Sequence, residues 1–208
     1  MYVIYISYIY ITYTYRYVYL QCILAIGHHP SPTTLQAWAA THTEDLLPPN
    51  DLDTMFSAGF EVYEQNHFAC VNMVLTTRRI LRFPPAQGPY VEMICNDDTC
   101  GTNWHGFAVM LSGISDAGRH FHNILLSICT KKDSRSYNFI AHTLMRLRPD
   151  LVFRFSMSDA AQAIFNGFSE VYAHQFQLMC YMHVFIKNML KVNCSRTPLC
   201  KMCTFRLF

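Results

Sequence analysis

The sequence predicts an α/β chain built on a mixed sheet, and three observations lead there. Short apolar runs alternate with segments of helical spacing from Tyr90 onward, in the order β-β-β-α-β-α-β-α. Two of those runs are joined by a five-residue turn, Ser115–Arg119, which marks an antiparallel hairpin. Two aspartates, Asp97 and Asp159, fall at the ends of separate strands.

The elements follow in order. Phe68–Thr76 (FACVNMVLT) is a strand, Thr77–Leu81 begins a short helix, and FPPAQGP over 83–89 forces a loop. Tyr90–Asn96 is a short strand ending at Asp97 and Asp98. Phe107–Ile114 (FAVMLSGI) is almost wholly apolar, as a strand covered on both faces should be. Phe121–Thr130 completes the hairpin. Ser134–Leu147 carries Tyr137, Ile140, Leu144 and Leu147 at helical spacing, and Pro149 stops it. Leu151–Met157 is a strand leading to Asp159. The helix from Ala160 places Ile164, Phe168 and Val171 on one face. Phe176–Tyr181 and Val184–Leu190 close the unit as strand and helix.

Upstream lies a different texture. Residues 1–30 are Tyr/Ile-rich, with eight of the thirteen tyrosines in the first twenty positions. A bilayer span is long enough to fit there, but Arg16 near its centre and the scarcity of leucine argue against membrane anchoring. Exposed strand would be an aggregation hazard. Tyr, Ile, Val and Thr are also what alternating TA/CA/TG repeat DNA encodes, so translated repeat is the favoured account and the segment is set apart from the fold. Residues 31–67 are expected to be a Pro-rich connector with a helical segment, 68–190 the folded core, and 191–208 an irregular tail.

Bulk composition sets limits. The chain has 208 residues, 51% hydrophobic and 14% charged, which excludes a disordered polar chain. A net charge of +2 does not by itself demand a nucleic-acid partner. Nine cysteines, an odd number without a secreted-domain spacing, fit free thiols in a reducing compartment.

Asp97 and Asp159 are the candidate chemistry. On neighbouring strands their carboxylates would meet at one sheet edge, where α/β sheets form their pockets. Two hard oxygen ligands suit Mg²⁺, and metal-assisted phosphoryl transfer usually wants a third. The bland alternative is that an aspartate after a strand closes a turn or caps a helix.

The surrounding residues add a resemblance. NDDTCGTNWHGFAVMLSGISDAGRHFH contains Asp97, Thr99, Asn103, Trp104, Gly106 and Phe107, then Ser115, Asp116, Phe121 and His122. MSDAAQAIF supplies Asp159, Ala163 and Ile164, and MCYMHV supplies Cys180 and His183, with Asn188 beyond. In this order over Arg78–Asn188, these motifs resemble the core of Mutator-like (MULE) DDE transposases. The resemblance implies an RNase H-like, retroviral-integrase-like fold, incomplete at its C-terminal side. It also implies Asp97 and Asp159 as catalytic metal ligands for Mg²⁺ or Mn²⁺, transposon-end DNA as partner, and a nuclear location, with self-association open. Asp98 stands where relatives have a small residue, and so competes with Asp97 for the ligand role. The family's third carboxylate, a Glu well beyond the second Asp, has no counterpart, because no Asp or Glu follows Glu170. A fragment or decayed copy is the corresponding expectation. The alternatives are a non-catalytic DNA- or protein-binding module of the same origin, and a small membrane-anchored protein.

Four basic residues, Arg78, Arg79, Lys131 and Lys132, are candidate phosphate contacts. A solvated face is the plainer reading. Cys180 and His183 support the structure or provide half of a Zn²⁺ site, which would need two further ligands.

Overall fold

The computed structural model describes residues 31–48, 50–82, 93–99, 107–115, 121–159, 161–172 and 176–179. Seven strands form one sheet: β1 (Met55–Gln65), β2 (Phe68–Thr77), β3 (Met93–Thr99), β4 (Ala108–Ser115), β5 (Phe121–Cys129), β6 (Phe155–Ser158) and β7 (Phe176–Met179). Their spatial order is β1-β2-β5-β4-β3-β6-β7. Neighbours from β1 through to β3 are antiparallel, whereas β6 pairs parallel with both β3 and β7. The sheet is therefore mixed.

Four helices are described: α1 (Pro32–Thr41), α2 (Arg78–Arg82), α3 (Ser134–Leu147) and α4 (Gln162–Ser169), with a 3₁₀ turn at Glu44–Leu46. The local chemistry explains their bounds. Ser31 caps α1 by accepting from the Thr34 N–H at 3.1 Å, and Pro32 occupies the first turn, where a missing N–H costs nothing. Asp133 caps α3 through the Ser136 N–H at 2.9 Å. Helix α3 spans the residues expected from its spacing.

Two apolar layers sandwich the sheet. On one face Ile94, Met110 and Ile114 meet Tyr137, Ile140 and Leu144 of α3 and Ile164 and Phe168 of α4. On the other, Val71, Met73, Leu75, Val109, Leu111, Leu126 and Ile128 meet Leu35 and Trp38 of α1. Strand β4 feeds both layers, and every residue from Ala108 to Ile114 is buried, as its unbroken apolar run requires. Each large side chain so buried contributes roughly 1.5–3 kcal/mol.

Three differences from the sequence reading have physical causes. Strand β1 lies within the stretch expected to be connector; its register slips between Ser57 and Gly59, a bulge that erases simple alternation. Strand β3 runs past both aspartates to Thr99, because Asp97, Asp98 and Thr99 pair with Leu111, Met110 and Val109. Strand β6 begins only at Phe155. Leu151 and Phe153 are buried in the core but precede the ladder. The hairpin expected from the Ser115–Arg119 turn is the β4–β5 pair. Residues 1–30, the helix expected over 184–190 and the tail lie outside the described residues.

Helices α3 and α4 approach so closely that Gly167 has no room for a side chain. A Cβ there would stand 2.6 Å from Tyr137 Cβ and 2.7 Å from the Asn138 nitrogen and the Ser134 carbonyl. Two of these neighbours are backbone atoms and cannot swing aside. Gly167→Ala is expected to lower the unfolding free energy by about 1–3 kcal/mol in urea titrations. An unchanged midpoint would show that the helices separate without cost.

Candidate metal site at a sheet edge

The parallel ladder of β3 with β6 pairs Met93 with Phe155, Ile94 with Ser156 and Cys95 with Met157. The pairing stops at Cys95 and Met157, two residues before Asp97 and Asp159. Asp97 lies near the end of β3, and Asp159 lies in the bend just after β6, at the same end of the sheet.

Side-chain alternation separates Asp97 from Asp98. Asp97 pairs with Leu111, a member of the α1-side layer, so it faces that side. Asp98 pairs with Met110 and faces α3. Its side chain is only 6% exposed, accepts from the Tyr137 hydroxyl at 2.6 Å and is ion-paired with Lys132. A buried carboxylate held by a hydroxyl and an ammonium fastens strand to helix. Asp98 is a structural anchor, Asp97 faces the opposite side, and Asp159, in the bend after β6, lies near enough to Tyr137 to help raise its phenol above the ordinary range.

The face bearing Asp97 has a distinctive surround. Phe155, Met157, Phe176 and Leu178 share it by register, and the rings of Phe155 and Phe176 lie 5.9 Å apart. Phe176 is 63% exposed. Among the described residues, α1 lies against β1 and β2 on this face.

Asp159 also has a local task. Its Oδ1 accepts from the Ala161 N–H at 2.9 Å, closing the turn into α4. The turn-closing reading and the ligand reading therefore coexist in one side chain, since a carboxylate has two oxygens and about four acceptor directions. Glu170 does not approach this edge as a ligand. It accepts from Asn138 Nδ2 at 2.7 Å and ties the end of α4 to α3. Among the described residues no group of three or more His, Cys, Asp or Glu side chains is gathered as a metal site.

The basic candidates divide. Arg78 is only 16% exposed; it donates to Glu44 Oε1 at 3.2 Å and to the Glu44 carbonyl at 2.8 Å, and also reaches the carbonyls of Pro48, Asp51 and Leu47. Its fork closes the loop before β1 onto α2, so the structure gives it an internal partner set in place of a phosphate-facing position. Arg79 is exposed and ion-paired with Asp53. Lys131 and Lys132 lie between β5 and α3, at the same sheet edge as Asp97. Cys180 and His183 lie outside the described residues, as do Asn103, Trp104, Gly106 and Asp116.

On sequence alone Tyr137 reads as plain core, because it sits on the apolar stripe of α3. The signal that could expose the network is its hydroxyl: a buried tyrosine needs a polar partner. Burial, then the Asp98 bond, push the Tyr137 phenol well above its ordinary range. Burial first, then Asp133 and Asp98, push the Cys129 thiol up to about 12.

No protein-family model, no curated protein and no solved structure matches this chain. The site is therefore read from its own geometry.

Two measurements check this geometry. Tyr137→Phe leaves the buried Asp98 carboxylate short of a donor and should cost about 1–3 kcal/mol of stability; a neutral effect would remove Asp98 as an anchor. High pH is the second. The folded chain holds the Cys129 proton to about 12 against an ordinary value of 9.0, so its contribution is complete below pH 9 and is lost as pH rises toward 12. Tyr137 and Tyr172 are shifted in the same direction. Urea midpoints should fall across that window, with a shallower fall in Cys129→Ala. A flat profile would contradict the burial of these groups.

Proposed function

We propose that this chain carries the front part of a DDE-type transposase core of the Mutator-like class, with an RNase H-like fold and two of the three metal-binding carboxylates. One observation carries the reading: the parallel β3–β6 ladder brings the strand that carries Asp97 and Asp98 beside the one that leads to Asp159. The antiparallel run β3–β4–β5, followed by parallel strands reached through α3 and α4, supports the finer fold assignment. The motif order over Arg78–Asn188 supports the family assignment.

Asp97 and Asp159 would hold Mg²⁺ or Mn²⁺, whose chemistry when bound is to activate the attacking oxygen and stabilise the leaving one in phosphoryl transfer. The protein's own part would be to hold the two carboxylates at one end of the sheet, near the ends of neighbouring strands. Transposon-end DNA is the proposed substrate and the nucleus the proposed location. Lys131 and Lys132 are the proposed phosphate contacts at this edge. With Glu170 bonded to Asn138 and no carboxylate side chain among residues 171–208, the chain by itself presents two ligands. That observation favours a second reading, a non-catalytic DNA-binding module of the same origin.

Mn²⁺ binding to the full chain, followed by water-proton relaxation, tests the metal reading. Asp97→Asn and Asp159→Asn should each weaken binding roughly tenfold or more, since even partners behind the ligands are worth about 10–100-fold. Asp98→Asn should lower stability and leave Mn²⁺ affinity alone. Equal affinity in all four proteins would end the proposal. Incubation with DNA and Mn²⁺ should give little or no nicking; robust cleavage abolished by Asp159→Ala would refute the two-carboxylate account.

A further inference from the structure

The β1–β2 hairpin overhangs the sheet at the same edge as the aspartates. Strand β2 pairs with β1 along Phe68–Thr77 but with β5 only over Asn72–Leu75. Strands β5 and β3 run in the same direction through the antiparallel β4, and β2 runs opposite to β5. The turn joining β1 to β2 therefore lies beyond the C-terminal ends of β3 and β5. At about 3.3 Å per residue, Phe68 stands about 13 Å past the last β5 pairing. Three strand spacings, about 14 Å, separate the ribbon laterally from Asp97.

The overhang is braced. The Arg135 guanidinium lies 3.9 Å over the Tyr63 ring and is ion-paired with Glu61, and the Tyr63 and Ser136 hydroxyls are 3.3 Å apart. These contacts hold the ribbon against the first turn of α3, shortly after Lys131 and Lys132. Asn66 and His67 make the turn with φ of 54° and 64°, the tight two-residue connection that keeps both strands paired to the tip.

The tip carries unusual chemistry for a solvent loop. It reads Glu64-Gln65-Asn66-His67-Phe68, with Phe68 70% exposed and the side chains of Glu64 and His67 exposed and 3.6 Å apart. No Lys or Arg occurs between Phe56 and Thr77. A ribbon without cations cannot track phosphates. Amide, imidazole, carboxylate and aromatic groups are those that meet base edges: Asn with adenine, Glu with the cytosine amine, an aromatic with the thymine methyl. The major groove, about 12 Å wide, admits a two-stranded ribbon.

We propose that the β1–β2 hairpin is a base-reading finger that enters the major groove of duplex DNA beside the Asp97–Asp159 edge. It rests on the DNA reading proposed above and adds the element that gives that reading sequence preference. Lys131 and Lys132 bind the backbone, while Asn66, His67 and Phe68 select the site.

The test uses the full chain and a pool of duplex DNA randomised in sequence, with bound molecules recovered and sequenced. The wild-type chain should enrich a preferred sequence. His67→Gly/Phe68→Ser keeps a turn-compatible residue and leaves the brace intact; it should lose that preference by about tenfold or more, the worth of roughly one base pair, while binding the bulk pool within about twofold. Lys131→Ala, which leaves the Lys132–Asp98 pair in place, should weaken binding across the whole pool and keep the preference. If the hairpin variant enriches the same sequence equally, or the wild type shows no preference, the finger is overturned, and the DNA reading survives if the lysine variant is weakened. If the wild type binds the pool no better than the lysine variant, the DNA reading falls and the finger with it.

Discussion

The parallel pairing of β3 with β6 is the constraint on which the rest of the arrangement depends. Parallel strands cannot be joined by a tight turn, and here β4, β5 and α3 intervene between β3 and β6, with α3 lying on the sheet to bury its own stripe. Ile140 and Leu144 pack against Ile94, Ile114 and the other residues of that layer, and this docking fixes where the returning strand enters. Because side chains alternate with a period of two, a slip of one residue in β3 would exchange the faces of Asp97 and Asp98. The apolar burial of α3 and the placement of two carboxylates are the same event seen at two scales.

Adjacent aspartates with opposite fates follow from that periodicity. Asp98 loses water and is compensated by Tyr137 and Lys132, an arrangement in which removing one partner is costly even though the pair adds little net stability. Asp97 keeps to the side where Phe176 and Leu178 remain exposed among the described residues. The buried member stiffens the strand end from which its neighbour projects. Lys132 thereby joins two settings, the anchor within and the basic edge without.

Much of this was legible in the residues. The unbroken run FAVMLSGI announced a strand covered twice, and the spacing of Tyr137, Ile140, Leu144 and Leu147 with Pro149 beyond gave α3 its length. Strand β1 was not legible, since its bulge at Ser57–Gly59 breaks the alternation that reveals a strand. The role of Arg78 was hidden for a different reason. Its partners are mainly backbone carbonyls of residues 44–51, and carbonyls leave no mark in a sequence. Which of Asp97 and Asp98 turns toward α3 depends on the side each strand position takes, and only the ladder decides that.

Mechanically, the β1–β2 ribbon is a cantilever. Its root is the short ladder on β5, and Arg135 is a strut set partway along its length. A sideways load at Phe68 acts through a lever arm as long as the root itself, so the torque falls on that strut. Arg135 belongs to the first turn of α3, two residues past the Asp133 cap and three past Lys132. Strain on the tip is therefore delivered to the loop that clasps Asp98, which makes the hairpin and the carboxylate edge parts of one elastic frame.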